Sequence, residues 1–172
     1  MVCNHIVSWC HGNITMKISI QRSCDHFLKL IFSNINSIDI RQKMIDHRLF
    51  SVDQLLFYET TITMLKIHSK SFPHCFNDFF TETSHRMSTR SNRAFNLDKP
   101  RIQLTKQSLI YKGTLVWNKI PNSVKYVNDT HPPQLAEKNT FQNKLKDFIL
   151  AEGPISISLY LSEILYSNRE LQ

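Results

Sequence analysis

The sequence predicts a mainly α domain with a small β element, an α+β fold. Three observations lead there. The 172 residues include only three glycines, Gly12, Gly113 and Gly153, which leaves few positive-φ positions for tight hairpins. Apolar residues recur at helical spacing in three stretches, near 15–33, 51–69 and 140–150. Short period-two patterns flank Pro100 and predict short strands near 95–112.

In the first helix, Ile20, Phe27, Leu28, Leu30 and Ile31 make the expected buried side, and a short helix follows Ser37. The second opens at Ser51, where Ser-Val-Asp-Gln54 matches a capping box: the Ser51 hydroxyl takes the Gln54 amide proton while the Gln54 side chain reaches back. Val52, Leu55, Leu56, Phe57, Ile62, Met64 and Leu65 then carry an apolar stripe toward residue 69, and Phe72-Pro73 stops it.

Phe95 and Leu97, Ile102 and Leu104, then Leu109 and Tyr111 alternate with polar residues, as in two short strands with cationic outer faces. Leu115-Val-Trp117 follows Gly113 as a short helix or turn that packs Trp117 inward, closed by Pro121. Residues 122–138 are polar, with Pro132-Pro133 among them, and read as a loop.

Phe141, Leu145, Phe148 and Ile149 fall at i, i+4, i+7 and i+8 with Lys144, Lys146 and Asp147 outward, and Gly153-Pro154 ends that helix. Beyond it, 155–160 alternates like a strand and 161–166 suits a helix, so the tail stays open. The expected organisation is a helical module over 1–80, a basic arm with short strands and a Trp turn over 81–121, a linker loop over 122–138, and a C-terminal helix and tail over 139–172. No internal repeat is present.

The hydrophobic fraction of 41% excludes a disordered tail, and no apolar run is long enough to span a membrane. The net charge of +7 is concentrated. Residues 83–119 hold Arg86, Arg90, Arg93, Lys99, Arg101, Lys106, Lys112 and Lys119 against one acid, Asp98; the remaining 13 basic and 13 acidic residues cancel. Such a concentration suits a polyanionic partner. Arginine forks grip phosphate oxygens, Thr89 and Ser91 can donate to them, and Phe95 and Tyr111 can stack on unpaired bases. The candidate nucleic-acid-binding set is therefore Arg86, Thr89, Arg90, Arg93, Arg101, Lys106, Tyr111 and Lys112.

Other chemistry finds no frame. Cys3, His5, Cys10 and His11, followed by Cys24 and His26, lack the close cysteine pairs of a structural zinc site, so no metal is expected. His74-Cys75 is an adjacent pair, poorly placed for the hydrogen bond a thiolate needs, and no nucleophile elbow or phosphate-binding glycine loop occurs. No cofactor is implied and no catalytic residue is assigned. The first ten residues have neither a basic nor an apolar signal region, which predicts an intracellular protein, nuclear or cytoplasmic, with free thiols. The sequons at Asn13 and Asn128 are then chance matches.

Ser108-Leu-Ile-Tyr-Lys-Gly113-Thr-Leu-Val-Trp117-Asn118-Lys-Ile-Pro121 resembles the "S-i-x-x-x-G-x-x-x-W-N-x-L-P" signature near the C-terminus of reverse transcriptases of LINE-type (non-LTR) retrotransposons, the jockey-like group. Further matches follow in family order. Leu49-Phe-Ser51-Val52-Asp-Gln-Leu55 is similar to "L-x-S-V-x-x-L", Met64-Leu-Lys-Ile-His68 to "M-x-K-x-H", and Phe72-Pro73 stands where the family has Leu-Pro. Thr89-Arg90 stands at its "N-T-R", and Thr140-Phe141-Gln-Asn-Lys144-Leu145-Lys146 resembles "s-F-K-x-x-L-K". Near the start, Ile6-Val-Ser-Trp9 and Ile20-Gln-Arg22 are similar to "I-x-V-W-G" and "L-Q-K-R". The resemblance covers about 4–150, strongest over 49–121. Departures are Arg86-Met-Ser before Thr89-Arg90, where the family has Tyr-Asn, and Thr114 in place of a common Pro.

The resemblance implies the region after the palm of an RNA-directed DNA polymerase, a fragment of a transposable element. It does not bring the polymerase centre. Nucleotidyl transfer needs carboxylates holding two metal ions about 4 Å apart, and the family supplies part of that set from a Tyr-x-Asp-Asp turn. This chain has no two adjacent acids. The expected function is noncatalytic, non-specific binding of RNA or DNA backbone. The alternatives are a protein-interaction or scaffold remnant, which self-associates or packs on a polymerase core, and a decayed fragment with no selected function.

Overall fold

A computed structural model describes residues 14–32, 36–71, 95, 108–126 and 138–166. Its helices are α1 (Ile14–Ile31), α2 (Ser37–Asp46), α3 (Val52–His68), α4 (Leu109–Lys119), α5 (Asn122–Lys125) and α6 (Lys138–Tyr166). The mainly α expectation holds. No strand occurs among the described residues.

The α3 start follows the capping box: the Gln54 N–H donates to Ser51 Oγ at 3.3 Å and the Ser51 N–H to Gln54 Oε1 at 2.9 Å. α3 is the central element, packed against α1, α4 and α6, and is therefore buried nearly all round rather than along one stripe. Buried Thr61 resolves its polarity locally by donating its hydroxyl to the Phe57 carbonyl one turn back, at 2.9 Å. Gln54, also buried, donates its Nε2 to the Ile149 carbonyl at 3.2 Å and ties α3 to α6. The core gathers Leu56, Phe57, Met64 and Leu65 of α3, Phe95, Val116 and Trp117 of α4, Val124 of α5, and Phe141, Leu145, Ile149, Ile157 and Leu161 of α6.

In a chain so poor in glycine, two helix ends place other residues in the left-handed region. α3 closes with Lys70 at φ 54°, and α2 with Arg48 at φ 53°. Both closures carry the Schellman pair: Ser71 N–H to the Lys66 carbonyl with Lys70 N–H to Ile67, and Leu49 N–H to Met44 with Arg48 N–H to Ile45.

Several expectations are corrected. Residues 109–112, read as strand, are the first turn of α4; Ser108 caps it by accepting the Tyr111 N–H at 3.3 Å. Two apolar residues at i and i+2 are too few to separate the two periods, and the cap decides. The rest of the predicted strand region lies outside the described residues, except Phe95.

α1 is present, but its predicted buried side is covered only in part: Ile20 packs against the core, whereas Phe27, Leu30 and Ile31 are 63%, 64% and 68% exposed. α1 meets α3 through its N-terminal half instead. Gln21 Oε1 accepts the Val52 N–H at 3.0 Å, satisfying one free donor at the α3 start, and Lys17 pairs with Asp53 at 2.7 Å. Apolar periodicity marks a face without saying whether a neighbour covers it.

The open tail is helical. α6 breaks at Gly153, with φ 76° and ψ 167°, and resumes, so Pro154 falls at the first position of a new helical stretch, where it costs no hydrogen bond. Ile157 and Leu161, one turn apart, are fully buried. The predicted linker begins with the turn α5, and 127–137 lies outside the described residues.

Candidate nucleic-acid interface

α4 delivers its residues to two environments. Gly113 lies against α3, where a Cβ would stand 2.6 Å from the Met64 sulfur, so glycine permits the close crossing of the helices. One turn later Trp117 is fully buried. Its ring stacks on Phe141 of α6 at 6.3 Å between centroids and meets the His68 ring edge-on at 5.5 Å. The indole N–H has no acceptor among the described residues. Lys125 of α5 places its ammonium 5.6 Å from the centre of the same ring.

The next residue, Asn118, sits at the exposed rim. Its Oδ1 accepts the Phe95 N–H at 3.1 Å, and its Nδ2 donates to the Phe95 carbonyl at 3.1 Å. The Phe95 ring is buried, edge-on to His68 at 5.4 Å and tilted against Trp117 at 6.2 Å. A single side chain thus satisfies both backbone groups of Phe95.

The predicted site residues fall into two groups. Arg86, Thr89, Arg90, Arg93, Arg101 and Lys106 lie outside the described residues. Tyr111 and Lys112 lie on α4, not on a strand; Tyr111 is half-buried and Lys112 is 2% exposed. Burial pushes the amines of Lys112 and Lys125 down to about 8. An enclosed amine does not present to a backbone phosphate, so Lys112 belongs to the fold rather than to a phosphate-contacting surface. On α1, Cys24 and His26 are exposed, and no group of three or more His, Cys, Asp or Glu converges among the described residues. The remaining zinc candidates, and His74-Cys75, lie outside them.

Sequence reasoning missed Asn118 and His68 as partners of Phe95. Their only signal was position: Asn118 directly after a buried Trp, His68 closing an apolar helix. Lys125 was hidden by the polar composition around it, since a lysine buried at a helical turn has the same local sequence as a solvated one.

Comparison of the chain with protein-family models, curated proteins and solved structures finds no match. No helix among the described residues is long and apolar enough to cross a membrane.

Proposed function

We propose that the chain is a noncatalytic module, similar to the region after the palm of a LINE-type reverse transcriptase, that binds single-stranded RNA or DNA backbone through the basic segment around Phe95. The observation that supports this reading is that residues from four of the eight matching stretches meet in one core. Ser51 and Val52 start α3, Met64 receives Gly113, His68 touches Trp117, Phe141 stacks on Trp117, and Leu145 lies one turn further along α6. A signature that builds a core is structural, which suits a module without a polymerase centre.

The basic segment suits phosphate contact because it carries the whole net charge and is joined to this core at Phe95. Replacing Arg86, Arg90 and Arg93 together by Ala should weaken binding of homopolymeric oligonucleotides of every base alike, measured by fluorescence anisotropy. Loss confined to one base composition, or no loss, overturns the reading.

A second reading, self-association as an interaction module, is favoured by the exposed apolar side chains Phe27, Leu30 and Ile31 of α1 and Ile45 of α2. It predicts a molecular mass in light scattering that rises with concentration and falls in Leu30→Lys; a concentration-independent monomer contradicts it.

A further inference from the structure

We infer that the exposed second half of α1 is a self-pairing face, on which a second copy of this chain docks its own α1 antiparallel. This rests on the second reading above, self-association, and deepens it by naming the pairing face and its orientation.

At about 100° per residue, Ile20, Phe27 and Ile31 project within about 40° of one another, so they share one line along α1. The two ends of that line differ. Ile20 packs against the core, whereas Phe27 and Ile31, with Leu30 beside them, are exposed. The face that seats α1 on its own chain therefore runs on past the core uncovered.

Charge placement decides what suits it. Between Ile20 and Ile31, the side chains of Arg22, Asp25, His26 and Lys29 all project at least about 100° away from the line. An anionic lipid surface or an acidic partner draws cations to the edge of an apolar face, and here Arg22 and Lys29 stand on the far side. A face without charge meets its own copy with no like-charge penalty, which an isologous contact requires.

Orientation follows from Ile20. A parallel pair would lay the second copy along the whole line, over Ile20, where the chain's own core already sits. An antiparallel pair that overlaps only through the second halves keeps the two cores at opposite ends and sets the ring of Phe27 against aliphatic side chains of the other copy.

α2 enlarges the patch. The Phe32 and His47 rings stack at 5.2 Å and hold the end of α2 beside the end of α1, and Ile45 and Leu49 there are exposed as well. At roughly 150–200 Å² per side chain of this size, Phe27, Leu30, Ile31, Ile45 and Leu49 leave on the order of 500 Å² of apolar surface on each copy. A two-fold contact removes twice that, on the order of 1,000 Å², the least that a specific interface needs. The pairing is therefore reversible and depends on concentration.

The test is sedimentation equilibrium of the reduced full chain from micromolar to submillimolar concentration. Wild type should rise toward twice the monomer mass and level there. Phe27→Asp and Ile31→Asp should each stay monomeric; both positions are exposed, so each variant should keep its helical circular dichroism. Arg22→Glu, on the far side of α1, should pair as wild type does. A dimer that survives in the folded Phe27→Asp and Ile31→Asp variants, or that is lost in Arg22→Glu, overturns this inference and leaves self-association through another face. A monomer at every concentration overturns both, and a mass that climbs past the dimer overturns a closed two-fold pair. Diamide oxidation followed by digestion without reductant reads the orientation through the exposed Cys24. In the antiparallel pair the two Cys24 thiols stand on the order of 15 Å apart along the helices, so no Cys24-to-Cys24 peptide should form. Such a peptide in wild type, absent from Phe27→Asp, overturns the antiparallel arrangement.

Discussion

Gly113 on α4 lies so close to Met64 on α3 that a Cβ at that position would fall 2.6 Å from the methionine sulfur and 3.3 Å from its Cγ. These atoms lie partway along a fully buried side chain, so Met64 has little room to withdraw. Gly113→Ala gains about 1 kcal/mol of helix propensity and meets an overpacking cost of about 1–3 kcal/mol. The net expectation is destabilisation by about 1 kcal/mol in urea unfolding. Added to Met64→Ala, the Gly113 substitution should cost less than it does alone, because the space it needs is then vacant.

Lys70→Gly should stabilise the chain. Lys70 occupies φ 54° at an exposed helix end, a conformation that burdens any residue with a Cβ. Glycine relieves that strain and gives back part of the gain through unfolded-state entropy, leaving about 0.5–1 kcal/mol. Arg48→Gly should behave alike, since the exposed contact of Arg48 with Asp147 at 3.9 Å contributes little. Thermal unfolding of both variants checks the pair.

Lys125 carries a pH signature. Burial lowers its amine from the ordinary 10.5 to about 8, so the unfolded chain binds the proton more tightly than the folded one between these values. The destabilisation from its buried charge is therefore fully present below about pH 8 and is relieved as pH rises toward 10.5. Lys125→Met should be more stable than wild type at pH 7, with an advantage that shrinks as pH rises through this window. A difference independent of pH would show that the ammonium over Trp117 is not held against its hydration.

Trp117 anchors three of the aromatic contacts. Trp117→Ala should cost about 3–5 kcal/mol in denaturant unfolding. Trp117→Phe should cost much less, because it keeps a ring against Phe141 and deletes a buried indole N–H that has no acceptor among the described residues.

Much of this fold was legible in the sequence where a local rule and a tertiary contact agree. The capping box at Ser51, the Phe141, Leu145 and Ile149 face of α6, and the inward Trp117 follow from spacing alone. The C-terminal half of the α1 face failed because amphipathic spacing is a property of one helix, whereas burial needs a second surface. The start of α4 failed because Leu109 and Tyr111 fit either period and Ser108 was not weighed as a cap. The candidate site was legible only as charge. Lys112 counted as a surface cation in the sequence and is enclosed in the structure, while Asn118, uncharged, bonds both backbone groups of Phe95.

The central claim, that this segment binds polyanions by phosphate contact, is tested most directly by the affinity of the chain for a single-stranded oligonucleotide across a salt series. With about five phosphates engaged, log affinity should fall against log salt with a slope near −3.5. A flat response, or no binding at low salt, would contradict it.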